Sequence, residues 1–120
     1  MKLSNSFTVF PISLLFARIS EGALVVAVGS DGVGKQEVGS KVASSMKIVT
    51  DVTSQCIRLG ELQHVKNGAE AVHAELGEVL RGSKKGRESD KERILVDLTG
   101  VGIQDAALAE VVWAKHRSQN

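Results

Sequence analysis

A chain of 120 residues, 42% hydrophobic and 24% charged, has material for one modest core and at most one domain. Fifteen basic against fourteen acidic side chains leave a formal net charge of +1, which excludes the global positive field that would hold nucleic acid or an anionic membrane. The single cysteine, Cys56, cannot form an internal disulfide, and a small buried thiol in a reducing, cytoplasmic compartment is the reading that fits.

Residues 1–21 differ in composition from the rest. All three phenylalanines, Phe7, Phe10 and Phe16, lie there with the one proline, Pro11, and Trp113 is the only aromatic beyond them. The run loosely matches a secretory signal, but Ser4, Asn5, Ser6, Thr8 and Ser13 interrupt its apolar stretch, and Arg18 stands where a cleavage site wants a small residue. It reads as a weakly attached lead-in. No segment of the chain approaches the ~18 apolar residues of a membrane span.

From residue 22 the elements alternate. "ALVVAV" (23–28) is a continuous β-branched run, as a strand buried on both faces of a parallel sheet requires. A glycine-rich loop, Gly29-Ser30-Asp31-Gly32-Val33-Gly34-Lys35, follows, then a short helix within 37–46 and a second strand, "KIVTDV" (47–52). A helix opens on Thr53 and stops at Gly60, helical character resumes at Leu62, and Asn67-Gly68 signals a turn. Ala69, Val72, Leu76, Val79 and Leu80 share one face at helical spacing, which predicts a helix over 69–82 with Gly82 as its C′ residue. "SKKGRESDKER" (83–93) carries five basic and three acidic residues with no apolar side chain, a solvated loop. "ILVDL" (94–98) is a third strand, and a terminal helix over about 103–117 is expected to bury Leu108, Val111 and Val112. The order predicts an α/β fold: a partial Rossmann-like parallel sheet of about three strands, with flanking helices and a C-terminal helix.

The glycine loop carries the chemistry. Gly29 to Lys35 matches the G-x-x-x-x-G-K of a phosphate-cradling loop, but the position after the lysine, where a Ser or Thr hydroxyl ligates Mg²⁺, is Gln36. Asp31 inside the loop would also repel the phosphate that the backbone N–H groups attract. A nucleotide triphosphatase is therefore the least favoured reading. In open parallel sheets ligands bind beyond the carboxyl ends of the strands, where an aspartate can exchange a proton while a lysine holds a cofactor or substrate oxygen. The bland alternative is that Asp31 makes an Asx turn and Lys35 is solvated. Two other cues point nowhere. His73-Ala74-Glu75 imitates the H-x-E of zinc deaminases but lacks the P-C-x-x-C partner, so no metal site is expected, and His64 and His116 read as ordinary histidines.

"AVGSDGVGKQEV" (27–38) resembles the loop of the ornithine cyclodeaminase and mu-crystallin family, typically A-V-G-x-D-x-P-G-K-x-E-L. "GELQHV" (60–65), "VHAELGEVLRGSKKGRESD" (72–90) and "VDLTGVGIQDAALAEVVW" (96–113) follow in the family's order, so the resemblance covers nearly the whole chain from Gly22 onward. It implies a dimer that binds NAD or NADP on a Rossmann-type domain and transfers a hydride at the carbon bearing nitrogen of an amino acid or cyclic imine, as in the conversion of ornithine to proline with release of ammonia. Asp31 falls at the family's catalytic acid–base position and Lys35 at its cofactor-contacting lysine. Val25, Val26, Ala27 and Val28 fall at the strand end that lies along the dinucleotide, and Leu98 and Thr99 at the turn that approaches the nicotinamide and substrate. Departures are visible: Val33 replaces the usual proline, Val26 a frequent asparagine, and no G-x-G-x-x-G follows a strand. The chain therefore reads as the carboxyl-terminal half of a cofactor domain, a fragment or truncated member inactive alone. A non-catalytic descendant that binds a ligand or partner subunits through the same surface is the alternative.

Overall fold

The computed structural model describes residues 19–119; the lead-in reading of residues 1–21 falls almost wholly outside them. Four short strands, β1 (Leu24–Ala27), β2 (Lys47–Thr50), β3 (Val72–Glu75) and β4 (Ile94–Asp97), form one sheet in the order β1-β4-β2-β3. All three pairings are parallel, with Val26 opposite Val96 and Val96 opposite Val49 across the middle of the sheet. The helices are α1 (Ser40–Ala43), α2 (Thr53–Leu59), α3 (Leu76–Leu80) and α4 (Gly102–Arg117), with 3₁₀ turns at Glu61–His64 and Gly68–Ala71.

The expected parallel α/β sheet is present, and it has a fourth strand. Residues 72–75, assigned from periodicity to the middle of a helix over 69–82, are β3, and the helix is only α3. Over four residues the 2.0 and 3.6 periods cannot be told apart. The local chemistry settles the outcome: the Glu75 carboxylate accepts the N–H three residues on while Glu78 Oε2 accepts the Glu75 N–H at 2.9 Å, a capping box that starts a helix after Glu75 rather than through it. Gly82, at φ +75°, follows that helix as expected. The helical character read from Leu62 onward is a single 3₁₀ turn, Glu61–His64, and Asn67 takes the left-handed conformation at φ 72°.

One face of the sheet is covered by α1, α2 and the Glu61–His64 turn. Ala27, Ile48 and Leu95 from the strands pack there with Val38, Ala43, Met46, Cys56, Leu62 and Val65. Cys56 is fully buried, and burial, with the neighbouring carboxylate of Asp51, pushes its thiol up to about 12, so it is inert at neutral pH. The charged segment 83–93 is less detached than its composition suggests: Lys47, on β2, pairs with Glu92 at 2.6 Å and Glu88 at 3.1 Å and ties it to the sheet.

Two apolar surfaces remain open. Leu24 and Val26 on β1, and Val28 just after it, are 59%, 49% and 61% exposed, and among the described residues no strand lies on the outer side of β1. Leu108, Val111 and Val112 of α4, expected to be buried, are each more than 60% exposed. They stand at i, i+3 and i+4, but the apolar residues of α4 are not gathered on one face of the helix, and the described residues supply nothing that buries them.

Candidate active site

Strands β1 and β4 are parallel neighbours in register, Ala27 opposite Asp97, so the loop after β1 and the turn after β4 leave the same edge of the sheet side by side. The Leu98 N–H donates to the Ala27 carbonyl at 3.0 Å and carries the pairing one residue further. This brings the 25–35 and 98–99 candidates to one place. Val26 and Val28 are exposed there, Val25, Leu98 and Thr99 are half-buried, and the Ala27 side chain is buried in the core.

A relay of carboxylates fastens the glycine loop to the sheet. Asp97, fully buried at the end of β4, accepts the Glu61 N–H and the Leu62 N–H, each at 3.0 Å. Glu61, itself buried, accepts the Glu37 N–H at 2.7 Å and the Val38 N–H at 3.0 Å. Glu37 then accepts the Gly29 N–H at 2.7 Å. Two glycines make room for the relay. A Cβ at Gly60 would lie 2.5 Å from the Asp97 carboxylate, and one at Gly29 would strike that of Glu37.

Within the loop, Lys35 Nζ sits 2.5 Å from Asp31 Oδ1, with the two side chains 59% and 54% exposed. The hydrogen bond and charge of Lys35 hold the Asp31 carboxyl below its ordinary value, so it is an ionised proton acceptor at neutral pH. Ser30 is buried, its hydroxyl donating to the Lys35 carbonyl at 2.9 Å. This arrangement is not a phosphate cradle. The Gly29 N–H is taken by a carboxylate and the Gly34 N–H by Gln63 Oε1 at 2.8 Å, and the chain runs extended to the four-residue α1 instead of opening directly into a helix.

The Lys35 N–H donates to the Gly32 carbonyl at 3.1 Å, closing a turn whose third residue, Gly34, has φ +79°. That sign at the third position is what a type II turn demands, and proline is favoured at the second, here Val33, which is 84% exposed. Val33→Pro is therefore expected to raise stability by about 0.4–1 kcal/mol through the unfolded chain. Urea denaturation checks this; destabilisation would show that Val33 does not sit in proline geometry.

Sequence reasoning missed Asp51, which follows β2. Its carboxylate accepts the N–H groups of Val52, Thr99 and Gly100 at 2.7, 2.9 and 2.8 Å, together with the Cys56 thiol at 3.1 Å and the Thr99 hydroxyl. Burial raises this carboxyl, but the bonds it accepts outweigh burial and hold it below its ordinary value. Gln55 Nε2 donates to Thr99 Oγ1 at 2.9 Å and to the Gly100 carbonyl at 2.7 Å, so the turn after β4 is clamped from two sides. Also missed were the partners of "GELQHV": Gln63 and His64 both reach the Lys35 carbonyl, at 3.2 and 2.8 Å. An aspartate closing an apolar strand and a polar Q-H pair after a helix were the available signals.

The model of the ornithine cyclodeaminase/mu-crystallin family matches residues 11–120. This chain belongs to that family. Alanine dehydrogenase of Archaeoglobus fulgidus is 42% identical over 106 residues, which cover 85% of this chain and 33% of that protein. An archaeal alanine dehydrogenase dimer with bound NAD superposes with a TM-score of 0.78 at 42% identity, over 85% of this chain and 33% of that one. Iminosuccinate reductase of Paracoccus denitrificans in complex with NAD⁺ gives 0.72 at 36% identity, over 83% and 32%. Δ1-pyrroline-2-carboxylate reductase of Thermococcus litoralis, in complex with NADH and L-proline, gives 0.76 at 28%, over 84% and 33%. The chain thus spans about a third of the length of these ornithine cyclodeaminase/mu-crystallin relatives, and its sheet is part of their Rossmann-like domain.

Proposed function

We propose that this chain is the acid–base segment of an NAD(P)-dependent oxidoreductase or cyclodeaminase acting on an amino acid or cyclic imine. The observation that carries the reading is the Asp31–Lys35 pair, exposed on a braced loop at the carboxyl end of β1 and beside the clamped Leu98–Gly100 turn. The residues present fit a nicotinamide nucleotide: the exposed Val26 and Val28 offer an apolar surface, Lys35 a cation, and the turn at Leu98 and Thr99 a fixed backbone. Val25 and Ala27 support that strand end from within. The bound nucleotide would supply hydride exchange with the carbon bearing nitrogen. The protein's part is proton management. Asp31, ionised and solvent-facing, takes a proton from the substrate amine or from a nucleophile attacking the imine carbon, and Lys35 holds the carboxylate in place while keeping it charged.

Relatives of these activities support the substrate class: an alanine dehydrogenase, an iminosuccinate reductase and pyrroline-2-carboxylate reductases all act on carbon–nitrogen centres, and a lysine cyclodeaminase has the same fold at a TM-score of 0.77. A homo-oligomer in a reducing, cytoplasmic setting accords with the dimeric relative and the free buried thiol. Among the described residues no helix is long and apolar enough to cross a membrane. A second reading, a non-catalytic descendant that binds subunits or ligands, is favoured by the open apolar surfaces of β1 and α4. Thermal unfolding in the presence of NADH, NADPH or ATP with Mg²⁺ tests the proposal. A rise in Tm with a nicotinamide nucleotide is expected, retained in Asp31→Asn and reduced in Lys35→Ala; a rise with ATP and Mg²⁺ alone would overturn it.

A further inference from the structure

The "GELQHV" segment has no part in the chemistry above, yet its side chains converge on the loop that does. Gln63 is half-buried beneath the Gly32–Lys35 turn. Its Oε1 accepts the Gly34 N–H at 2.8 Å, while Nε2 lies within hydrogen-bond distance of the carbonyls of Gly32 and Lys35, each at 3.2 Å, on one side and of Leu59 and Gly60, at 3.1 and 2.9 Å, on the other. One amide thus ties the turn to the end of α2. His64 Nε2 adds a bond to the Lys35 carbonyl at 2.8 Å, and the Ser30 hydroxyl adds another, so three side chains gather on that single oxygen.

We propose that Gln63, assisted by His64, is the positioning residue that fixes the backbone of Lys35 and so sets the Asp31–Lys35 pair. The inference deepens the proposed function and rests on it for its catalytic meaning. Its geometric content stands separately. An ion pair between two side chains that are more than half exposed is weakly ordered by its own attraction, because solvent screens it and both side chains lose rotamer freedom. Its geometry must come from the backbone beneath, and here that backbone is a turn with valine where proline would have supplied rigidity. Only an amide offers an acceptor for Gly34 and donors for a ring of carbonyls in one side chain; a carboxylate would face four carbonyl oxygens with negative charge, and a thioether of similar volume would bond neither set.

The test is an NMR titration of the Asp31 carboxyl in the full chain and in Gln63→Met, with the amides of Ile48 and Leu95 as the gauge of an intact sheet. In the unaltered chain, where Lys35 bonds Asp31, the carboxyl is expected to titrate below its ordinary value. In Gln63→Met the midpoint is expected to rise toward the ordinary value with the sheet amides unmoved, and Val33→Pro in the same background is expected to restore part of the depression by pre-setting the turn. An unchanged midpoint with an intact sheet overturns the inference. Should Gln63→Met not fold, His64→Leu, which removes one exposed donor to the same carbonyl, is read instead; a smaller rise supports positioning and no rise overturns it. NADH stabilisation, measured in parallel on the unaltered chain, decides the proposed function independently, because the titration needs no nucleotide.

Discussion

Asp97→Ala lowers the unfolding free energy by about 2–6 kcal/mol, enough to leave a chain of this size largely unfolded. The estimate takes ~1–3 kcal/mol for each of two backbone donors, Glu61 N–H and Leu62 N–H, that the substitution strands in the core. Asp97→Asn retains one acceptor oxygen and turns an NH₂ group on the second donor, so about half that loss is expected. Urea unfolding at neutral pH separates the two, and equal losses would show that volume rather than hydrogen bonding is at stake. The acid limb carries a further signature. Burial holds the carboxyls of Asp97 and Glu61 above their ordinary values. The folded chain therefore binds these two protons more readily than the unfolded chain, and their contribution falls as pH rises from the ordinary carboxylate range through the folded values. Asp31, Asp51, Glu88 and Glu92 are shifted the other way, so their contribution is complete above the ordinary range and is lost as pH falls through the folded values. Stability is expected to improve slightly on mild acidification before it collapses, and the improvement should shrink in Asp97→Asn.

The parts legible in the sequence were those with a continuous local pattern. β1, β2 and β4 are apolar runs without alternation and each sits between clear breakers, which made them legible as strands; the cover on both faces that such runs imply is missing for β1, whose Leu24 and Val26 are exposed. β3 was not legible because a four-residue edge strand followed at once by a helix leaves too short a period, and the deciding signal was a glutamate pair three residues apart. For α4 the helix was read correctly and the burial of Leu108, Val111 and Val112 wrongly, since an apolar residue's presence in a helix reports that it wants cover and not whether cover is present. At the candidate site, Asp31 and Lys35 were visible as odd residues in a glycine loop. Asp51, Glu61 and Gln63 were not, because their hydrogen bonds reach backbone groups mostly 23 to 49 residues away and leave no local periodicity to detect. What local reasoning finds is the reacting pair; what it misses is the scaffold that aims it.

Purified chain supplied with NADH or NADPH and with ornithine, proline or a cyclic imine is expected to show no turnover above background. Asp31 and Lys35 are in place, and a well-placed general base contributes roughly 10²–10⁴-fold. Holding substrate and cofactor in reacting geometry contributes more, ~7–11 kcal/mol of barrier in favourable cases. The sequence has no G-x-G-x-x-G to seat the pyrophosphate, and the loop amides at Gly29 and Gly34 already serve Glu37 and Gln63. A substrate bound here would meet one ionised carboxylate on an open surface, and among the described residues no wall encloses it to exclude water. The exposed side chains of β1 and α4 are where such a wall would have to dock, and the described residues leave both bare. Proton transfer without positioning cannot offset that loss, whose upper end corresponds to about 10⁸ in rate. Absorbance at 340 nm followed over hours at high enzyme concentration is the measurement. Clear oxidation or reduction of the nucleotide that disappears in Asp31→Asn would refute the expectation and at the same stroke establish the loop as a complete catalytic site.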